Sequence, residues 1–290
     1  MFENHRALAA AFDAGQYGIS TFRKVPSATA TIAGQWFDYS YASGNPIPNY
    51  YAASPLVATV LEPEKGIIVP RMSGTDRLYL HRLSVMSSGA TAGAQPLFLL
   101  DYLLYYPFVD MDAAGEEQTL DNTTPLPRYT DGIGVQMMVV AQSPTVGGGR
   151  FTINYTGTDD IAYTTGSMFC AAAQPSGALV SAVGATTGLL PFVPLNAGVR
   201  GVKSVNWVNF SVANGGLCAV VLVKPIETTF VLESTSVAGL GAAVEKESCR
   251  LRGGIPEIKD GAFLGLLGAG AAGSLASSPL VGTIETVWSH

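Results

Sequence analysis

The segment Arg150-Phe-Thr-Ile-Asn-Tyr155 alternates apolar and polar residues, and this pattern points to the fold class. Successive side chains of a strand point to opposite faces of a sheet, so strict alternation predicts a strand with one buried face. Leu78–Met86 and Ile226–Glu233 are rich in residues that favour strands. Leu217–Val223 is a continuous apolar run ended by Lys224-Pro225, which predicts a strand covered on both faces.

Clusters of Gly, Pro, Ser and Asn separate these runs, at 43–46, 87–89, 147–149 and 214–216. Such clusters mark turns, and many short strands separated by turns predict an all-β sandwich or barrel. Only residues 1–20 favour a helix, because Leu8 and Phe12 would lie on one face of it.

A set of landmarks occurs twice in the same order along the chain. Val69-Pro70, Pro107 and Asp131-Gly132 have counterparts in the second half, namely Val193-Pro194, Pro225 and Asp260-Gly261. Their nearly constant spacing predicts tandem copies of one all-β unit. A copy of this size fits a jelly roll better than a shorter immunoglobulin-like sandwich. We therefore predict two tandem jelly-roll-like β-sandwich domains, at 21–147 and 148–290, behind an N-terminal arm at 1–20.

The composition limits the possible partners. Of the 290 residues, 13% are charged and 48% are hydrophobic, and the formal net charge is -6. An average soluble domain carries about 25% charged residues, so this chain has roughly half the usual charge. The acidic balance argues against nucleic acid as a partner, because nucleic-acid binders cluster Lys and Arg. The apolar content excludes a disordered chain. Two explanations remain: a membrane protein, or a protein whose surface is covered by partners.

The first of these explanations is not favoured by the sequence. Two stretches, 161–199 and 261–281, lack charged residues, but Gly and Pro interrupt both, so neither provides the continuous apolar run of a spanning helix. The N-terminus lacks the basic start and apolar run of a secretory signal. We therefore predict a soluble protein without a membrane partner. The three cysteines, Cys170, Cys218 and Cys249, match no disulfide or zinc pattern, and we expect buried, reduced thiols.

The histidines offer little for catalysis. His5 and His290 lie near the termini, so a nucleophilic triad or dyad would have to use His81. His81 lies in a predicted strand, and no nucleophile-elbow motif Gly-x-Ser-x-Gly accompanies it. In glycoside hydrolysis the fold, not the sequence distance, sets the separation of the two catalytic carboxylates. No pair of carboxylates stands out in the sequence for this role. We therefore predict that the chain is not an enzyme, with no catalytic residues and no cofactor.

One acidic loop is a candidate calcium site. Asp110, Asp112 and Glu116 lie near a glycine and could present several oxygens to Ca²⁺. The EF-hand pattern fails, because its third oxygen ligand and its spaced Glu are missing. We favour a solvated acidic loop and predict no metal. Asp159-Asp160 is typical of a hairpin turn.

Aromatic residues cluster at Trp36–Tyr41, Tyr50-Tyr51 and Tyr102–Phe108. Such side chains could stack on sugars or anchor a partner. In strands they favour the core, and we expect most of them there.

Two segments resemble virion structural proteins of tailed bacteriophages. The first is Asp101-Tyr-Leu-Leu-Tyr-Tyr-Pro107 followed by Leu126-Pro-Arg-Tyr-Thr-Asp-Gly-Ile-Gly134. The second runs from Asp260-Gly-Ala-Phe-Leu264 to Gly282-Thr-Ile-Glu-Thr-Val-Trp288 and is similar to the last domain of such proteins. The resemblance implies a jelly-roll capsid decoration (cement) protein, a homotrimer bound to the major capsid protein on the capsid exterior of the virion and made in the host cytoplasm.

The low charge and the lack of a catalytic set agree with a structural part, because symmetric assemblies bury weakly charged surface. We predict that the N-terminal arm contacts a partner through Phe2, Leu8 and Phe12, since a detached amphipathic segment needs a surface to cover it. Three alternatives remain: a head-fibre or receptor- or glycan-binding module, another virion part such as a tail or shell protein, and, disfavoured, a carbohydrate-active enzyme.

Overall fold

The structure is a computed structural model of the chain, and it describes residues 2, 4–26, 35–87, 95–183, 190–231, 244–247, 255–269 and 279–289. For residues 87, 95 and 244–247 it describes the backbone. Cys249, His290 and most of the predicted turn at 87–89 lie outside the described residues.

The described elements are almost all strands, as the sequence predicted. In chain order they are α1 His5–Asp13, β1 Tyr17–Val25, β2 Trp36–Asp38, β3 Ser43–Asn45, β4 Thr59–Val60, a 3-10 turn Pro63–Lys65, β5 Arg77–Ser87, β6 Gln95–Asp110, β7 Glu117–Thr119, β8 Gln136–Ala141, β9 Arg150–Gly157, β10 Ala162–Thr164, β11 Met168–Cys170, β12 Ser181–Ala182, β13 Val202–Phe210, β14 Leu217–Val231, β15 Val244–Glu247, β16 Glu257–Ile258, β17 Phe263–Ala269 and β18 Leu280–Ser289.

These strands form three sheets, and the paired strands within them run antiparallel. The central sheet has the order β2-β17-β6-β14-β8, with β4 beside β6. The first outer sheet has the order β15-β5-β18-β1-β3, with β16 beside β5. The second outer sheet has the order β12-β11-β9-β13-β7, with β10 beside β9. The all-β prediction is confirmed, and the arrangement is that of packed sheets.

The two longest strands, β6 and β14, pair with each other along nearly their whole length in the middle of the central sheet. The sequence predicted that Lys224-Pro225 ends the strand that begins at Leu217, and this prediction was wrong. Register shifts in the pairing, one of them next to Pro225, let the ladder continue past a residue without an N–H.

One face of the central sheet packs against both outer sheets. Toward the second outer sheet, Tyr106 and Leu222 meet Phe151 and Val208 in one apolar core. Toward the first outer sheet, Leu97, Leu99, Leu264 and Leu266 meet Leu80, Leu83 and Ile284 in another. The opposite face of the central sheet carries a third apolar cluster, which includes Tyr102, Met138, Val221 and Phe263 and is covered by Tyr51, Leu61 and Leu179. The strand Leu217–Val223 is therefore covered on both faces, as predicted.

The pairing pattern of 77–157 recurs in 202–289. In the central sheet, β8 pairs with β14 while β17 pairs with β6. In the outer sheets, β9 and β7 flank β13, while β18 and β15 flank β5. The last two strands of each stretch therefore pair with strands of the other stretch. Since all three sheets contain strands from both sides of residue 147, the structure does not confirm tandem domains at 21–147 and 148–290 or a jelly-roll topology.

The N-terminal arm differs from the prediction in its second half. The helix α1 begins after Asn4, whose side-chain oxygen accepts a hydrogen bond from the Ala7 amide at 2.9 Å, and ends at Asp13. Gly15 turns the chain with a φ of 73°, and residues 17–20 already belong to β1. Nine residues form this helix, and within the described residues no helix is long and apolar enough to cross a membrane.

A glycine in the central sheet provides a test of this packing. A Cβ atom at Gly265 would lie 2.6 Å from Cε2 of the buried Tyr102 ring. We expect Gly265→Ala to lower the free energy of unfolding by about 1–3 kcal/mol, because the ring has no space to move into. At Gly166 a Cβ would meet no atom within 4 Å, so Gly166→Ala is the matched control and should be neutral or slightly stabilising. Urea denaturation measures both, and equal effects would contradict the close approach.

Candidate functional site

A cluster of buried polar side chains surrounds Asp38 at the end of β2. The Asp38 carboxylate is wholly buried. It accepts hydrogen bonds from the Tyr102 hydroxyl at 2.7 Å, from the Ser40 hydroxyl at 2.9 Å and from the Tyr51 hydroxyl. Burial raises the pKa of Asp38, and these hydrogen bonds oppose that effect. The cluster joins the segment 38–51 to the central sheet.

Lys24 on β1 is buried beside this cluster. Its Nζ donates hydrogen bonds of 2.8 Å to the carbonyl oxygens of Ala42 and Pro46. Burial lowers the pKa of Lys24 to about 8, and the nearby charge of Asp38 opposes this shift. The amine therefore holds the segment that carries β3 against the end of β1. Asp38 and Lys24 line none of the grooves described below, so we assign them a structural role.

A further buried charge lies between the two apolar cores that the central sheet forms with the outer sheets. Asp101 on β6 alternates with Leu97 and Leu99, so its side chain lies on the face that packs against the outer sheets. Arg128 donates from Nη2 to Oδ1 at 2.7 Å and from Nε to Oδ2 at 3.0 Å, a bidentate pair. The Phe263 amide also donates to Oδ1, at 3.2 Å. Burial raises the pKa of Asp101 to about 6, against the effect of the Arg128 hydrogen bonds and charge.

Two grooves on one side of the molecule are accessible. The first, the β1 groove, is lined by 18–21 of β1, by 45–46 and by 66–70, and has a volume of about 440 Å³. No lining residue is charged. Ile19 and Ile68 line this groove and are 62% and 69% exposed. Apolar side chains and the β1 backbone therefore line much of this groove, together with the polar Ser20, Thr21 and Asn45.

The second groove, the Tyr50 groove, has a volume of about 300 Å³ and is lined by 47–50, 52–53, 59–62, Lys65, Tyr105 and Phe263. Tyr50 is 51% exposed and its ring packs edge-on against Tyr41, with 4.9 Å between the ring centroids. Glu62 and Lys65 form an exposed ion pair of 2.9 Å at this groove.

The two grooves adjoin, because Pro46 lines one and Ile47 the other. Together they bear five exposed large apolar side chains, which we call the apolar strip: Ile19, Ile47, Tyr50, Val60 and Ile68. An exposed apolar patch of this kind marks an interaction surface more often than an isolated side chain does. The strip is the candidate functional site.

A third, smaller pocket of about 80 Å³ is lined by two acidic residues, Glu64 and Asp260, among others. Its volume is far below the several hundred Å³ of small-molecule sites. A hydrogen bond from its own backbone amide and the Arg71 guanidinium lower the pKa of Glu64. A general acid in glycoside hydrolysis needs a raised pKa. Glu64 therefore does not have the raised pKa of a general acid, and the small volume argues against a sugar site here.

The predicted calcium candidates serve as turn acceptors. Asp110 accepts a hydrogen bond from the Asp112 amide at 2.9 Å, and Asp112 accepts one from the Gly215 amide at 2.7 Å. Glu116 is exposed. Among the residues that the structure describes, no three His, Cys, Asp or Glu side chains come together as a metal site. The loop is accordingly an exposed acidic turn. Asp159-Asp160 forms the predicted turn between β9 and β10.

The predicted contact residues of the arm pack on the chain itself. Leu8 is buried in a cluster with Tyr79 and Val287 on the outer face of the first outer sheet. Phe2 and Phe12 pack at the edge of this cluster. The premise that this apolar face needs an external surface is not confirmed, because the sheet covers it. A partner contact through these three residues stays a prediction.

The remaining candidates lie within the fold. His81 sits below Phe12, with 4.8 Å between the ring centroids. Cys170 and Cys218 are buried and free, and burial raises the pKa of the Cys170 thiol to about 12. Most clustered aromatics belong to the core, as predicted; Tyr50 is the exposed exception. Sequence reasoning missed Ile19, Ile47, Val60 and Ile68. A usable signal was the absence of charge at 17–22 and 66–70.

The buried Asp101 predicts a pH dependence of stability. Its pKa is raised to about 6 in the folded protein, so the folded state binds the proton more tightly than the unfolded state. Its contribution to stability is therefore complete below about pH 4 and is lost as the pH rises through about 6. We expect the difference in unfolding free energy between wild type and Asp101→Asn to grow by about 2 kcal/mol from about pH 7 to about pH 4. A difference that does not change over this range, measured by urea denaturation, would contradict the assignment.

A scan against protein-family models, a search of curated proteins and a search of solved structures found no match to this chain.

Proposed function

We propose that this chain is a structural protein of a bacteriophage virion, a decoration (cement) protein that binds the major capsid protein on the outside of the head as a homo-oligomer. The apolar strip carries the proposal. It gathers five exposed apolar side chains on one side of a chain with only 13% charged residues. The cores of protein interfaces are depleted in charged residues and enriched in aromatic side chains.

We place the contact with the capsid lattice at the Tyr50 groove. Ile47, Tyr50 and Val60 provide apolar anchors there, and the Glu62–Lys65 pair provides a polar rim. Interfaces commonly combine an apolar centre with such a rim. Many copies on one head add their weak contacts through multivalency, and this stabilises the lattice mechanically.

The jelly-roll assignment belongs to the same proposal. We infer that the stretches 77–157 and 202–289 are two copies of one jelly-roll-like unit whose last strands have exchanged places. The strand β5 lies between β18 and β15, and β13 lies between β9 and β7, which supports this inference. So does the pairing of β8 with β14 and of β17 with β6. Asp131-Gly132 and Asp260-Gly261 precede these last two strands, and both glycines have a φ of 71°.

Binding to expanded heads of the source phage tests the proposal. We expect wild type to co-sediment with heads that lack decoration, and Ile47→Lys to bind about tenfold more weakly or worse, because a charge would replace an exposed apolar side chain that the proposed contact buries. Ile161→Lys is the matched control, since Ile161 is also exposed but lies outside the strip. If wild-type protein does not co-sediment with the heads, the proposal is refuted. If Ile47→Lys and Ile161→Lys lose binding equally, the chosen surface is refuted.

A second candidate, glycan binding by a head-fibre or receptor-binding module, is favoured by the same groove. The half-exposed Tyr50 ring lies beside Asn49, Thr59 and Glu62, and stacking rings with nearby polar groups are what a sugar needs. We expect Tyr50→Ala to abolish any binding seen on an array of bacterial surface glycans. An array without hits for wild type would remove this candidate.

A further inference from the structure

The strand β1 has an open edge over most of its length. On one side it pairs with β18 from Tyr17 to Lys24. On the other side β3 covers only Arg23 to Val25. Within the described part of the chain, no strand pairs with residues 17–22 on that side, and the β1 groove lies there. A strand edge of this kind presents unpaired N–H and C=O groups to a partner.

The direction of these backbone groups follows from one hydrogen bond. The Gln16 carbonyl accepts from the Trp288 amide on β18, at 3.1 Å. Along an antiparallel strand, successive residues turn their N–H and C=O groups to opposite sides. Tyr17, Ile19 and Thr21 therefore direct their backbone groups to the open edge.

Within the described residues, the open part of this edge, 17–22, lacks the usual protection against pairing. Natural edge strands are blunted by Lys, Pro, bulges or inward charges. The segment Tyr17-Gly-Ile-Ser-Thr-Phe22 contains no charged residue and no proline. Tyr17 and Ile19 are exposed on its outer face, while α1 packs over β5 and β18 and reaches Tyr17 through Phe12, with 5.9 Å between the ring centroids. Ile19, in the middle of the open edge, therefore remains exposed on the outer face.

We propose that the β1 edge binds the β1 edge of a second copy of this chain, and that two sheets join antiparallel about a twofold axis at Ile19. This register pairs Tyr17 with Thr21 and Ile19 with its own copy, so all three outward residues are hydrogen-bonded. If the second copy were shifted by two residues along the edge, Thr21 would lie opposite residue 15, before β1 begins, or Tyr17 would lie opposite Arg23, which β3 already pairs with.

The proposal goes beyond capsid decoration and does not need it, because no residue of β1 lines the Tyr50 groove. It also differs from the homotrimer implied by the resemblance, since a twofold seam joins two copies. Ile68, exposed in the β1 groove of each copy, would add apolar surface beside the seam. The occupant is a second copy because an antiparallel edge without charge is complementary to itself.

Light scattering on the full chain tests the proposal. We expect a mass of twice 30.2 kDa for wild type at micromolar concentration. Ile19→Lys alone and Ile19→Glu alone should each be monomeric, because the axis places like charges face to face. An equimolar mixture of the two variants should recover the double mass, since opposite charges then meet. Ile161→Lys, the control, should keep the wild-type mass.

A second variant avoids adding a charge. Thr21→Pro removes an N–H that points to the open edge and so breaks no bond to β18; we expect a monomer with the circular dichroism spectrum of wild type. A wild-type monomer or trimer, a double mass that survives in Ile19→Lys, or a mixture that stays monomeric would each overturn the proposal. Head binding by a wild-type monomer would show that the decoration proposal holds while this one fails.

Discussion

The antiparallel pairing of β6 with β14 is the interaction on which the other sheets depend, because both strands are long enough to contribute side chains to the cores with both outer sheets. Leu97 and Leu99 at one end of β6 enter the core with the first outer sheet, and Tyr106 at the other end enters the core with the second. A single ladder therefore holds both cores in register. A slip of one residue would turn every one of these side chains to the opposite face.

Covering the central sheet on both faces imposes a cost on its polar residues. Asp101 has no access to water, and a buried carboxylate without partners would destabilise the fold strongly. The bidentate Arg128 and the Phe263 amide offset that cost at Asp101. The hydroxyl groups of two tyrosines and a serine do the same for the carboxylate of Asp38, to which they donate hydrogen bonds. These hydrogen bonds fix the positions of loops, since bonds to fixed partners specify one arrangement of each segment.

Local patterns predicted several of the strands but not which strands pair with which. Alternation in Arg150–Tyr155 predicted β9, and the apolar run from Leu217 predicted β14, because both patterns record which faces are covered. The continuation of β14 past Pro225 depends on bulges against β6, which no local pattern contains. Arg128 reaches Asp101 only through the fold. The apolar face of α1 was predicted correctly, but what covers it depends on the position of the first outer sheet.

The low charge of the chain has two physical sources, and the structure separates them. Three apolar clusters on the two faces of the central sheet account for much of the hydrophobic content. A core does not account for Ile19, Ile47 or Ile68, which remain in water. Exposed apolar side chains are ordinary when scattered. Here they line adjoining grooves, one of which runs along a strand edge without charge between residues 17 and 22, and such an edge is a template for pairing. Binding a partner at these grooves covers the same surface that would otherwise promote aggregation.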